Sequence, residues 1–168
     1  ALASLSGPAL PVALFAALAA GAAGEPAIEA SVSSRLVATA PVLPGARVTY
    51  EVEVLSNALS FEGLRVVPPA VTGGLLLSDA ASTLKGTRRV DSKSLQYVRY
   101  RFPVFPQRPG ILRIAPATVT FTASPGYGTP GRRFRLATAA QALTVAALPT
   151  AVPLAAGGLT ADLALEPA

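Results

Sequence analysis

Between Arg47 and Val54 the chain alternates strictly, with Val48, Tyr50, Val52 and Val54 on one side and Arg47, Thr49, Glu51 and Glu53 on the other. A period of two belongs to a strand with one face in a core and the other in water. The same alternation runs from Ser94 to Phe105, where Val98, Tyr100, Phe102 and Val104 turn inward and Tyr97, Arg99 and Arg101 turn outward. Shorter strands are predicted at Ala27 to Ser33, Leu64 to Val67, Ser82 to Val90, Ile111 to Ile114, Thr118 to Thr122, Arg133 to Leu136 and Ala142 to Ala147. Turn residues separate them: Pro44-Gly45, Pro68-Pro69, Gly73-Gly74, Asp91-Ser92, Pro109-Gly110 and Ser124-Pro125-Gly126. Pro103 and Pro106 lack the amide hydrogen that a ladder uses, so pairing of the long second strand is expected to end near them.

About seven to nine short strands, with turns roughly every 8 to 12 residues, describe an all-β, antiparallel sandwich of the immunoglobulin type rather than a βαβ fold. The Cys-Trp-Cys constellation of antibody domains is absent, because the chain has neither residue. The core is expected to contain Val48, Tyr50, Val52, Val54, Val98, Tyr100, Phe102, Ile114, Val119 and Phe121. Register is fixed by burial, since a slip of one residue would turn the charged set inward.

The flanks read differently. An apolar run from Pro8 to Ala20, followed by Gly21-Ala22-Ala23-Gly24 and Glu25-Pro26, has the length and ending of a signal-peptide core and cleavage site. Residues 1–24 are therefore expected to be a signal-peptide helix whose basic n-region is truncated, leaving 25–147 as the sandwich. Leu148 to Gly158 reads as a linker rich in Pro and Gly, and 159–168 resumes the alternation of a strand, as if a truncated second β domain starts there.

Composition then narrows the chemistry. Hydrophobic residues make up 51% of the 168, but much of that share is alanine and only 6% are aromatic, so the core rests on Val, Leu and ten Phe and Tyr residues. Cys, His, Met and Trp are all missing, which removes thiolate nucleophiles, imidazole bases, disulfides and the usual zinc ligands. No enzyme, cofactor or metal is expected. Charge is concentrated: Lys85, Arg88, Arg89, Lys93, Arg99, Arg101, Arg108, Arg113, Arg132, Arg133 and Arg135 stand against Asp91 alone between Lys85 and Arg135. Such a stretch suits a solvated strand face or a contact surface for an acidic partner, and an exported domain is not expected to meet nucleic acid.

Gly126-Tyr127-Gly128-Thr129-Pro130-Gly131 matches G-x-G-x-x-G, but Arg132-Arg133-Phe134-Arg135-Leu136 continues as a strand where a dinucleotide site needs a helix N-terminus, so it reads as a hairpin loop. Glu51 and Glu53 should stand roughly 6.5 to 7 Å apart on one strand face, a glycosidase-like spacing. Both are expected to be solvated, with nothing to raise either pKa. Ser82, Ser92 and Ser94 have no histidine to activate them.

One segment carries a resemblance. The hairpin Asp91-Ser92-Lys93, the strand Tyr97-Val98-Arg99-Tyr100-Arg101-Phe102 and the stretch Phe105 to Pro116 resemble the first extracytoplasmic domain of the BatD oxygen-tolerance family, in which an aromatic-rich strand enters a P-x-R/K-x-G-x-x-x-I-x-P turn and strand. Pro106, Arg108, Gly110, Ile114 and Pro116 occupy that motif, and Ile28 to Val54 and Phe134 to Val145 follow the family's order. By its own physics the motif is structural: Pro109-Gly110 supplies a turn that should fold the Arg99 strand back onto the Ile111 strand, while Pro103, Pro106 and Pro116 restrict edge pairing.

The resemblance implies an exported, non-enzymatic scaffold domain on the periplasmic face of the bacterial inner membrane, anchored by a C-terminal membrane helix outside this sequence. Its implied partners are von Willebrand A domain proteins and a MoxR-type ATPase, in stress or oxygen tolerance. Tyr97, Arg99 and Arg101 are the candidate partner surface, and reversing both arginines is expected to weaken binding without changing stability. The alternative is a carbohydrate- or surface-binding adhesin-like sandwich, for which Tyr97 and Tyr127 are the candidates for stacking on sugar.

Overall fold

The computed structural model describes residues 27–148. The expected signal-peptide helix, the linker beyond Leu148 and the second β domain lie outside these residues. Within them the chain forms eleven strands and no helix: β1 Ala30–Val37, β2 Val48–Ser56, β3 Ser60–Val67, β4 Val71–Thr72, β5 Gly74–Leu76, β6 Ser82–Val90, β7 Lys93–Pro106, β8 Gly110–Ile114, β9 Thr118–Ser124, β10 Arg132–Ala137 and β11 Gln141–Val145. All pairings are antiparallel. The architecture is all-β and consistent with a β-sandwich.

The first sheet runs β1-β2-β7, and the far edge of β7 is shared end to end by β6 and β5. Pro103 sits where that edge changes partner. Its carbonyl accepts the Leu77 amide at 3.0 Å, so its own missing N–H points into the gap between Ser82 of β6 and Leu76 of β5. Proline is tolerated here inside a sheet because no ladder donor is called for at this point. Pairing does end near these prolines, the ladder with β2 at Val104 and the strand at Pro106, but the expectation that Pro103 and Pro106 restrict pairing at an edge is corrected, because β7 is an interior strand.

The opposing layer consists of two three-stranded sheets, β10-β9-β3 and β11-β8-β4. Their three positions are filled by the same three chain passes, β3/β4, β8/β9 and β10/β11, so this is one layer folded along a line. The line runs through Pro68-Pro69, Ala115-Pro116 and Thr138-Ala139-Ala140. Thr138 staples it. The Thr138 amide donates to the Ala117 carbonyl at 2.9 Å, and the Ala117 amide donates to Thr138 Oγ1 at 2.9 Å. Across the core, the Tyr50 hydroxyl lies 3.1 Å from the same Oγ1.

Pro109-Gly110 does not close a hairpin. β7 belongs to the first sheet, whereas among the described residues β8 pairs only with β11 and β4, so the segment Gln107 to Pro109 crosses between layers. Gly110 takes a φ of 117°, a region closed to side chains with a Cβ. A true two-residue hairpin stands instead at Asp91-Ser92, with φ of 47° and 67°, the signs of a type I′ turn joining Val90 to Lys93.

The core joins both layers: Val48, Tyr50, Val52, Val54, Val98, Phe102 and Val104 from the first, with Leu112, Ile114, Val119 and Phe121 from the second. Of the residues expected inside, Tyr100 alone is only half-buried. β4 and β5 were not legible, because Val71-Thr72 and Gly74-Leu75-Leu76 are too short to show a period.

Candidate functional site

Tyr97, Arg99 and Arg101 do project from β7 on the side opposite its core residues, as their alternation requires. They are not free. Register places Glu51 of β2 between Arg35 of β1 and Arg101 of β7, and Glu53 beside Arg99. Arg35 Nε and Nη2 meet one Glu51 oxygen at 2.6 and 2.5 Å, and Arg101 Nε donates to the other at 2.8 Å. Arg99 grips Glu53 Oε2 through Nε at 3.0 Å and Nη2 at 2.6 Å, while Arg88 of β6 donates to Oε1 at 2.5 Å. Two carboxylates and four guanidiniums thus form a lattice across four strands. Cross-strand opposite charges favour this register.

This overturns the expectation that Glu51 and Glu53 are solvated. Glu51 is only 5% exposed and Glu53 is half-buried beneath its arginines. Burial pushes the Glu51 carboxyl up, but the hydrogen bond and charge of Arg35, with Arg99 and Arg101 behind them, outweigh it and hold the group below its ordinary value. The bond to Glu53 raises Arg99 further above its already high value. The Glu51 carboxyl is therefore held in its charged form, matched to the guanidiniums on either side of it. Reversing Arg99 and Arg101 together would crowd like charges around two poorly hydrated carboxylates, so the expected neutrality of that change does not hold either.

Tyr97 is held in the lattice. The guanidinium carbon of Arg99 stands 5.5 Å from its ring centroid and that of Arg88 stands 6.0 Å away. Its cross-strand partner is Gly86, where a Cβ would come within 2.8 Å of the phenol oxygen and 2.9 Å of two ring carbons. The ring lies over the bare glycine, which fixes its position. Tyr127 is separate from this face. It is 98% exposed in the loop between β9 and β10 of the other layer.

The motif residues have structural places: Pro106 is buried at the end of β7, Ile114 is 1% exposed in the core, Gly110 makes the crossing, and Arg108 and Pro116 lie at the surface. Arg35, Arg88, Glu51 and Glu53 were missed as members of the site. Their signal was present in the sequence: two carboxylates two residues apart on one strand match two arginines two residues apart on another. Only the pairing of β2 with β7 reveals the match.

No protein-family model, no curated protein and no solved structure matches this chain.

Proposed function

We propose that residues 27–147 form an immunoglobulin-like sandwich that serves as a non-enzymatic interaction module of an exported, BatD-like envelope protein. In this reading residues 1–24 are a signal peptide, 148–158 a linker and 159–168 the start of a second β domain. The full protein is anchored on the periplasmic face of the inner membrane by a C-terminal helix and acts with von Willebrand A domain proteins and a MoxR-type ATPase in stress or oxygen tolerance.

The observation that carries it is the ordering of the β7 face. Tyr and Arg are the residue types enriched at interface hot spots, and here Tyr97 is clamped over Gly86 beside two guanidiniums. Side chains already fixed lose little entropy on binding. Arg35, Arg88 and Arg101 keep about half their side-chain surface in water, at 58%, 45% and 44%, and so can meet carboxylates of a partner.

The test is recovery of partners from native envelope extract by the tagged full chain, followed by mass spectrometry. Capture of a von Willebrand A domain protein or the ATPase by the wild type, reduced about tenfold by Tyr97→Ala with Arg101→Gln while the domain stays folded at the assay temperature, is the expected outcome. This pair of changes leaves each glutamate at least one arginine. Recovery of neither protein by the wild type sinks the reading.

A further inference from the structure

The two layers meet differently at their two sides. On the β1 side, Ser34 Oγ donates to the Ala139 carbonyl at 3.2 Å and Gln141 Nε2 donates to the Ser34 carbonyl at 3.2 Å, which ties β1 to the β10–β11 connection and the start of β11. On the opposite side β6 of one layer and β3 of the other are both sheet edges, and a groove of about 730 Å³ lies between them. Phe61, Leu64, Val98 and Tyr100 line its floor, and Lys85 and Thr87 its β6 wall.

The two edges are not equivalent. β3 is blunted, since its register shifts between Glu62 and Arg65 around Gly63, and two of its neighbourhood's carbonyls are taken from across the groove. Gln96 Nε2 donates to the Leu59 carbonyl at 2.7 Å, and the Tyr100 hydroxyl donates to that of Leu64 at 3.4 Å. β6 keeps an unbroken edge of nine residues. The Val90–Lys93 pair closes the hairpin, so hydrogen-bonded pairs with β7 fall at Val90, Arg88, Gly86, Leu84 and Ser82. The main-chain N–H and C=O groups of Thr83, Lys85, Thr87 and Arg89 then point away from β7. Among the described residues no main-chain partner takes them.

We infer that the β6 edge is a strand-addition site for an extended acidic segment of a partner protein, whose alternate carboxylates take the groove-side positions opposite Lys85 and Arg89. Main-chain pairing along Thr83 to Arg89 supplies affinity, and the groove supplies side-chain selection. Charge decides the occupant. Lys85 and Arg89 make no salt bridge among the described residues, while the lattice already holds Arg88. A second β6 from another copy would set like charges opposite one another, whereas carboxylates opposite them are favourable. The floor is packed onto the core: Phe61 packs edge-on against Phe121 at 5.5 Å, and Tyr100 stacks on Phe102 at 6.4 Å.

This site rests on the interaction-module reading, and its test can fail separately. The full chain is titrated with a synthetic peptide of alternating Val and Glu, capped at both ends, and with a Val/Lys peptide of equal length, while amide hydrogen exchange is followed. The acidic peptide should slow exchange at Thr83, Lys85, Thr87 and Arg89 by about tenfold or more, and the basic one should not. Thr87→Pro removes only an outward N–H, so the hairpin stays paired while protection is lost. Lys85→Glu with Arg89→Glu should exchange the preference of the two peptides. Equal protection by both peptides, protection by neither, or an unaffected Thr87→Pro chain overturns the site. Protection of the same amides without peptide, in a chain that sediments as a dimer, overturns the acidic occupant in favour of a second copy. If Thr87→Pro still captures envelope proteins at the wild-type level, the edge is excluded and the module reading stands.

Discussion

Glu51 shows how little a residue's chemistry follows from its own neighbours in sequence. Read alone, it is the polar half of an alternating strand; in the sheet it is 5% exposed with an arginine on either flank. Its carboxyl is held below its ordinary value because the arginines stabilise the charged form by more than burial destabilises it. A depressed carboxyl contributes stability that is present above its unfolded value of 4.5 and lost as pH falls through the lower folded value. The thermal midpoint should therefore hold steady from neutral pH to about 4.5 and drop below it. Glu51→Gln should flatten the part of that drop due to this group and cost about 1 kcal/mol at pH 7, a figure kept small because Arg35 and Arg101 are half in water. A pH profile of Glu51→Gln that parallels the wild type would show that the lattice does not couple to folding.

At the level of elements, the long alternating strands were legible and the connections between them were not. β2 and β7 declare themselves because a solvated face and a core face demand period two over eight or more residues. Their inward residues are the core, Tyr100 apart. Pro109-Gly110 misled because a turn signal states that the chain bends, not which sheet it enters. The fold in the second layer was equally hidden, since it depends on Thr138, a threonine in an unremarkable Ala-Thr-Ala-Ala stretch. That hydroxyl serves the Ala117 amide and the Tyr50 hydroxyl within the core. Thr138→Val keeps the shape and strands both groups, at a cost of about 1–3 kcal/mol. Tyr50→Phe leaves the Ala117 bond in place and should cost about 0.5–1.5 kcal/mol. Denaturant titrations of the two variants and their double should show the double costing less than the sum, as partners of one network do. Strict additivity would mean that the staple is two independent contacts.

Over the whole molecule the pattern is a gradient from a closed side to an open one. β2 and β7 have partners on both edges, as does β9, and their inward residues are almost fully buried. Among the described residues β6 is attached only to β7, and most of its side chains are exposed, with only Gly86 and Val90 half-buried. Local opening costs least where little apolar area is covered, so the hairpin should open without the core. Native-state hydrogen exchange of the free chain should resolve three classes. The outward amides of Thr83, Lys85, Thr87 and Arg89 should exchange almost as in an unfolded peptide. The inward amides of Leu84, Gly86 and Arg88 should be protected by opening of the hairpin alone, and those of Val52, Phe102 and Phe121 by global unfolding. The second and third classes should differ by about 100-fold or more, and only the third should slow further when the whole domain is stabilised. A strand that opens this way can accept a partner without any change in the core that supports it. If Gly86 instead exchanges as slowly as Val52, β6 unfolds only with the core, and strand addition must occur on a rigid edge.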